Sequence, residues 1–224
     1  MDGILNINKP SNMTSHDVVD CIRRLIKQKR IGHAGTLDPQ ATGVLILLLG
    51  KATKLAETLK GDSKEYVASM KLGIRTTTED AWGEITEQKT NFSFQKKVIE
   101  NALLSFKGEI NQIPPMFSAL HHQGKRLYEL ARQGKEVERL PRQIKIFEIE
   151  LLDFISPDKI TFRVMCSSGT YVRTLCADIG NTLGVGGHLT SLERIRSGRF
   201  KIEDSIDLFE LIESKVKVEE VLLS

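Results

Sequence analysis

The sequence predicts an α+β protein. Two observations carry that prediction. Strand-like and helix-like hydrophobic patterns are interleaved along the chain, yet they never settle into the regular strand–helix–strand alternation of a doubly wound sheet. The composition is also ordinary for a folded domain: of 224 residues, 40% are hydrophobic and 27% charged, which excludes disordered and fibrous classes. That length suits one large domain, or one domain with a tail.

The elements follow in order. Gly3 to Asn8 reads as a short strand ended by Lys9-Pro10. Thr14 or Ser15 can cap a helix with Asp17 in its first turn, and Val18, Ile22, Leu25 and Ile26 form its apolar face up to about Lys29. Gly32 to Gly43 reads as loop, and Val44 to Leu49 as a strand buried on both faces. Thr53 to Leu59 looks helical. Tyr66, Ala68, Met70 and Leu72 alternate as in a half-buried strand, and residues 73 to 83 read as loop. Val98 to Phe106 marks a second amphipathic helix, stopped by Gly108. Beyond Pro114-Pro115 the chain is polar and basic, with a short helix at Leu127 to Gln133. Ile144 to Phe154 and Ile160 to Cys166 read as strands, Tyr171 to Leu183 as a helix, and Ile206 to Ser214 as a last short helix.

Several function classes drop out. The apolar run Val44 to Leu49 falls far short of the ~20 residues of a membrane span, and the first residues lack the basic and apolar regions of a signal peptide. Cys21, Cys166 and Cys176 are too widely spaced for a CxxC metal site and odd in number for a disulfide framework, so a reducing cytoplasm is expected. Gly50-Lys51 is followed by Ala52, and the spacing is wrong for a phosphate-binding loop. The five histidines show no metal-ligand spacing.

The formal charge of +3 averages unlike parts. Residues 202 to 224 hold seven acids and two lysines, a net of −5, which leaves +8 on residues 1 to 201. The basic residues cluster at Arg23 to Arg30, at Lys125 to Lys145 and at Arg194 to Lys201. A polyanion such as nucleic acid suits such a surface.

The densest segment is Gly32-His33-Ala34-Gly35-Thr36-Leu37-Asp38-Pro39-Gln40-Ala41-Thr42-Gly43-Val44-Leu45. Its glycines permit tight turns, and Pro39 fixes its own φ and holds Asp38 out of the helical region. The result is a rigid loop that displays one carboxylate ahead of a buried strand. The whole string resembles the catalytic motif of the TruB family of tRNA pseudouridine synthases. Further blocks resemble that family in the same order: Lys9-Pro10 with Thr14-Ser15, Lys64-Glu65-Tyr66, Leu72-Gly73 with Arg75-Thr76 and Asp80, Pro114-Pro115 with Ser118-Ala119, Ser168-Gly169-Thr170-Tyr171-Val172-Arg173, and Gly187-His188-Leu189 with Leu192 and Arg196-Ser197-Gly198.

The resemblance implies a pseudouridine synthase fold, a mixed and mostly antiparallel sheet flanked by helices with a central catalytic cleft. It implies isomerisation of the uridine at position 55 in the tRNA T-loop, without a cofactor or a metal. Asp38 is then the catalytic carboxylate, as nucleophile or as a base at the sugar. Arg173 is its cationic partner. Tyr66 lies against the flipped uracil, Tyr171 lines the same pocket, His33 supports the vacated position, and Leu192 forms part of the wall. Residues 1–205 form the catalytic domain, carrying a basic tRNA-binding insertion at about 118–143. Residues 206–224 form an acidic tail, too short for the PUA RNA-binding domain of many relatives. A cytoplasmic monomer acting on tRNA is expected. Two other readings are an RNA-folding helper with catalysis secondary, and a guide-dependent synthase. The sequence departs from the family pattern at Asn12, usually Gly, at Thr77, commonly Asp, and at His121, usually Lys. Asn tolerates left-handed geometry, so the turn at Asn12 is expected to survive.

Overall fold

The structure is a computed structural model and describes residues 1–213 and 218–223. In chain order the elements are β1 (Gly3–Lys9), α1 (Ser15–Ile26), β2 (Ile31–Ala34), β3 (Thr42–Leu49), α2 (Ala56–Gly61), β4 (Lys64–Leu72), β5 (Ile74–Thr76), β6 (Ile85–Gln88), α3 (Lys96–Leu104) and β7 (Gly108–Gln112). There follow β8 (His121–His122), β9 (Lys125–Arg126), α4 (Leu127–Arg132), β10 (Arg142–Ile155), β11 (Lys159–Cys166), α5 (Val172–Thr182), β12 (Gly187–Ser197), β13 (Phe200–Lys201), β14 (Ile206–Asp207) and α6 (Leu208–Glu213). The chain divides into two compact units, residues 1–67 with 191–224, and residues 68–190.

The first unit is built around β3. Along one edge β1 runs antiparallel to it over its whole length, from Gly3 opposite Leu49 to Lys9 opposite Gly43. The other edge is shared: β2 pairs antiparallel with Ile46 to Leu49, while Glu193 and Arg194 of β12 run parallel to Thr42 and Gly43. Val44 to Leu49 are at most 1% exposed, so β3 is buried on both faces as its unbroken apolar run predicts. Each such side chain contributes roughly 1.5–3 kcal/mol. The segment expected as a loop from Gly32 instead begins as a strand. Ile31 and Ala34 are buried, and the main chain of Gly32 and His33 joins the β3 ladder, which confines the irregular part to residues 35–41.

Helix α1 has the predicted start. The Thr14 hydroxyl caps the Asp17 amide and the Asp17 carboxylate returns to the Thr14 amide, a reciprocal capping box. Val18, Val19 and Ile22 face the core, and Lys27 ends the helix in a left-handed conformation. Asn12 is also left-handed, at φ 65°, so the residue that stands for the family's glycine does hold the turn. The acidic C-terminal residues are built into this unit. β14 adds parallel to β1 at Ile7 and Asn8, and Leu223 exchanges main-chain hydrogen bonds with Ile4. Ser214, within the last predicted helix, lies outside the described residues.

In the second unit, β10 lies antiparallel between β7 and β11. Ala68, Met70 and Leu72 of β4 give the predicted alternation. Helix α5 buries Val172, Leu175, Cys176 and Ile179. Residues 73–83, expected as loop, begin with β5, which forms a hairpin with β6. The basic insertion folds as the β8–β9 hairpin followed by α4.

Candidate active site

Asp38 sits on the 35–41 loop of the first unit and is half-buried. Asp38 to Ala41 form a turn closed by the Ala41 amide donating to the Asp38 carbonyl at 3.1 Å, with Pro39 at the position that favours its fixed φ. The sequence motif displays the carboxylate. What holds the loop rigid is a set of residues that the motif does not include.

Lys9 is fully buried at the end of β1. Its ammonium donates to the carbonyls of Met13 at 2.6 Å, Pro10 at 2.7 Å and Pro39 at 3.2 Å. The Asn12 amide joins it on Pro39 at 2.8 Å. Ser15 grips the residue before Asp38 twice: the Leu37 amide donates to its hydroxyl at 2.9 Å, and the hydroxyl donates to the Leu37 carbonyl at 3.2 Å. Arg194, 1% exposed, ties the two ends of the loop together, donating to the carbonyl of Gly35 at 3.2 Å and of Val44 at 2.7 Å. Gly43 makes this possible. At φ 98° it lies against the Arg194 main chain, where any β-carbon would collide.

These clamps also set charge. Burial pushes the Lys9 ammonium down to about 8, while the Asp38 carboxylate holds it up and Arg194 pushes it further down. The ammonium donates to carbonyls rather than to a carboxylate, so its positive charge acts on Asp38 while it is protonated. His33, on β2, is lowered by burial and by the charges of Arg194 and Lys60, so it is a neutral ring. Its Nδ1 is buried without a hydrogen-bond partner among the described residues. Tyr66 is 9% exposed on the same face of β4 as Lys64. Lys64 anchors that strand by donating to the carbonyls of Lys60 and Asp62 at the end of α2. Leu192, on β12, is buried two residues before Arg194.

In the second unit, Arg173 is 4% exposed near the start of α5. It donates to the carbonyls of Phe117 at 2.9 Å and Thr78 at 3.1 Å, and it faces the equally buried Asp80 carboxylate at 3.6 Å. Asp80 also accepts from the Thr78 hydroxyl and the Trp82 amide. Tyr171 caps α5, and its main chain is held on both sides by the buried Gln112, whose Oε1 accepts from the Tyr171 amide at 2.8 Å and whose amide nitrogen donates to the Tyr171 carbonyl at 3.1 Å. Thus His33, Asp38, Tyr66 and Leu192 belong to one unit, and Tyr171 and Arg173 to the other.

Sequence reasoning missed Lys9, Ser15, Gln112 and Arg194 as supports of the site. The usable signals were that Lys9 and Ser15 fall within the blocks that resemble the family and Arg194 within a basic cluster; Gln112 gave none. Among the described residues no three His, Cys, Asp or Glu side chains gather as a metal site, and no helix is long and apolar enough to cross a membrane.

A mostly antiparallel sheet flanked by helices, with a carboxylate on a clamped loop beside it, is the pseudouridine synthase fold, that of an RNA-modifying isomerase. Residues 23–172 match the TruB family pseudouridylate synthase N-terminal domain, and residues 173–223 match the tRNA pseudouridylate synthase B C-terminal domain. The chain belongs to the TruB family of pseudouridylate synthases. A tRNA pseudouridine synthase B of Dehalococcoides mccartyi is 51% identical over 96% of this chain and 71% of its own length. One from Syntrophomonas wolfei is 48% identical over the whole chain and 76% of its own length. Among solved structures, the matched chain of a Cbf5–Nop10–Gar1 complex superposes with a TM-score of 0.74 at 35% identity, over 94% of this chain and 54% of that one. The matched chain of an H/ACA ribonucleoprotein bound to a substrate RNA gives 0.71 at 34% identity, over 94% and 52%. The chain therefore spans about half the length of these solved chains.

Proposed function

We propose that this chain isomerises the T-loop uridine 55 of tRNA to pseudouridine, acting as a cytoplasmic monomer without a cofactor. The observation that carries the proposal is Asp38 on a loop whose ends are pinned by buried Lys9 and Arg194, within a family of pseudouridylate synthases. The target base leaves its stack at a cost of roughly a few kcal/mol, and flat side chains offset part of that cost. Tyr66 takes the flipped uracil, Tyr171 lines the pocket, Leu192 closes its wall, and neutral His33 supports the vacated position in the RNA. The bond from N1 to the ribose breaks, the base turns, C5 joins the ribose while its hydrogen leaves as a proton, and N1 takes up a proton. Asp38 serves this exchange in its ionised form, as nucleophile or as base at the sugar, with Arg173 as a cationic partner and the Tyr66 phenol available to the proton step.

The exposed Lys125, Arg126, Arg132 and Lys135 of the 118–143 insertion meet the T-arm by backbone shape and charge. The catalytic domain is taken as residues 1–205 with that insertion. A guide-dependent mode is less well supported, because identity is near 50% to proteins named tRNA pseudouridine synthase B but about a third to the ribonucleoprotein chains. The test is tritium release from a tRNA transcript labelled at C5 of uridine. Wild type is expected to release label stoichiometric with tRNA, and Asp38→Asn to lose roughly 10⁴-fold in rate while still binding. Binding without release by wild type would overturn the reading.

A further inference from the structure

The loop after α1 carries a second feature that the chemistry at Asp38 does not use. A surface concavity of about 400 Å³ is lined by Arg23, Arg24, Lys27, Gln28 and Lys29. Residues 23 to 30 hold five cations, Arg30 among them, and no acid. Two ordinary explanations account for only part of this charge. The negative end of α1 calls for roughly half an elementary charge, and Asp20 neutralises Arg23 at 2.9 Å. Arg24, Lys27 and Lys29 are exposed and pair with no carboxylate among the described residues.

The backbone adds an independent observation. Lys27 occupies the left-handed cap of α1 at φ 52°, a position that favours glycine or asparagine. A lysine in that place keeps a cation in the lining of the concavity where a glycine would be less strained. Gln28, also in the lining, is fixed by donating to the main chain of Met1 at 2.9 Å and Arg30 at 3.3 Å. Arg23 fixes one wall by donating to the Ile31 carbonyl at 2.8 Å. Ile31 begins β2, and the far end of that four-residue strand leads into the Asp38 loop. At ~3.3 Å per residue, Ile31, which Arg23 holds, lies roughly 13 Å along the strand from Gly35, where that loop begins.

We propose that this concavity binds the phosphodiester backbone of the substrate tRNA, as an anchor separate from the basic insertion. This rests on the tRNA reading above. Cations held on a shaped, partly fixed surface suit phosphate oxygens and carry no base preference. Their contribution appears as counterion release and hence as salt dependence.

The test is equilibrium binding of an unmodified tRNA transcript over a range of salt concentrations. It compares wild type, the triple variant Arg24→Glu/Lys27→Glu/Lys29→Glu, and a control with equal charge reversal at the exposed Lys96, Lys97 and Lys159. Circular dichroism checks that each variant is folded. The concavity variant is expected to bind about tenfold more weakly near 0.1 M salt, with the slope of log affinity against log salt reduced by about 1–2. The control is expected to stay within twofold of wild type. An unchanged slope in the concavity variant, or an equal loss in the control, would overturn the proposal. Failure of the synthase reading shows elsewhere, as absence of tritium release by wild type, whatever the binding curves do.

Discussion

The two units of this chain each bury arginine and solve the cost of doing so differently. In the first unit, the hydrogen bonds described for Lys9 and Arg194 all go to main-chain carbonyls. In the second, Arg173 meets two carbonyls and also the buried carboxylate of Asp80. A buried ion is expensive unless hydrogen-bonded and paired. The comparison teaches what each solution is for. Dipoles hold a cation in place without cancelling its charge, so the first unit stays electropositive around Asp38. In the second unit the Asp80 carboxylate fixes where the Arg173 guanidinium sits, joining the loop at Thr78 and the base of the insertion at Phe117 to α5.

The sharpest way to break the contrast is to remove one partner of the pair. Asp80→Ala removes the buried carboxylate that faces Arg173 at 3.6 Å and accepts from Thr78 and Trp82, and a loss of about 3–5 kcal/mol is expected. For a chain of this size that lowers the melting temperature by roughly 10 °C, read by calorimetry. Arg194→Lys, next in size, keeps the charge but cannot span both Gly35 and Val44. Turnover in the tritium assay is expected to fall roughly 10- to 100-fold, because a loop displaced by about 1 Å misplaces Asp38. A smaller loss in tRNA affinity than in turnover would mark the defect as one of positioning.

The two units also differ in how they answer pH. Lys9 is depressed to about 8, so between that value and its ordinary range the unfolded chain binds more protons than the folded one. Stability contributed by this group therefore rises with pH above 8, while the ammonium that clamps Pro39 is lost. Turnover is expected to decline on the alkaline side with a midpoint near 8 without a parallel loss of melting temperature, and Lys9→Met is expected to abolish that limb. In the second unit, burial raises Asp178 to about 6, with the charge of Glu79 adding to it. Here the folded chain holds the proton more tightly, and stability falls as pH rises from the ordinary carboxylate range through 6. Asp178→Asn is expected to gain roughly a few degrees in melting temperature at pH 7.5, discounted for partial exposure, and nothing near pH 3.5.

Legibility in the sequence followed burial chemistry. β3 and α1 were plain because an unbroken apolar run and a capping box each have one physical meaning. β12 was invisible: Gly187 to Ser197 buries His188, Arg194 and Ser197 among its apolar residues, so neither alternation nor a continuous run appears. β2 was hidden by Gly32 and His33, and β7 by the polar string Gly-Glu-Ile-Asn-Gln. The candidate site was legible only where a motif carried it. Asp38, Tyr66 and Arg173 came from resemblance, whereas Lys9 read as the end of a strand and Arg194 as part of a basic cluster, because nothing local announces that three or two carbonyls will replace their water.

The burial of β3 has a consequence in time. Its amides are locked into ladders on both edges and its side chains on both faces, so Val44 to Leu49 can exchange hydrogen only through large-scale opening of the first unit. Gln40 and Ala41 lie in a turn a few residues upstream and need only local fluctuation. Exchange rates should therefore step sharply across Gly43. The Asp38 carboxylate stands one turn away from the strand expected to open most slowly in its unit, close enough to inherit its persistence and far enough along the chain to adjust on the timescale of a binding event.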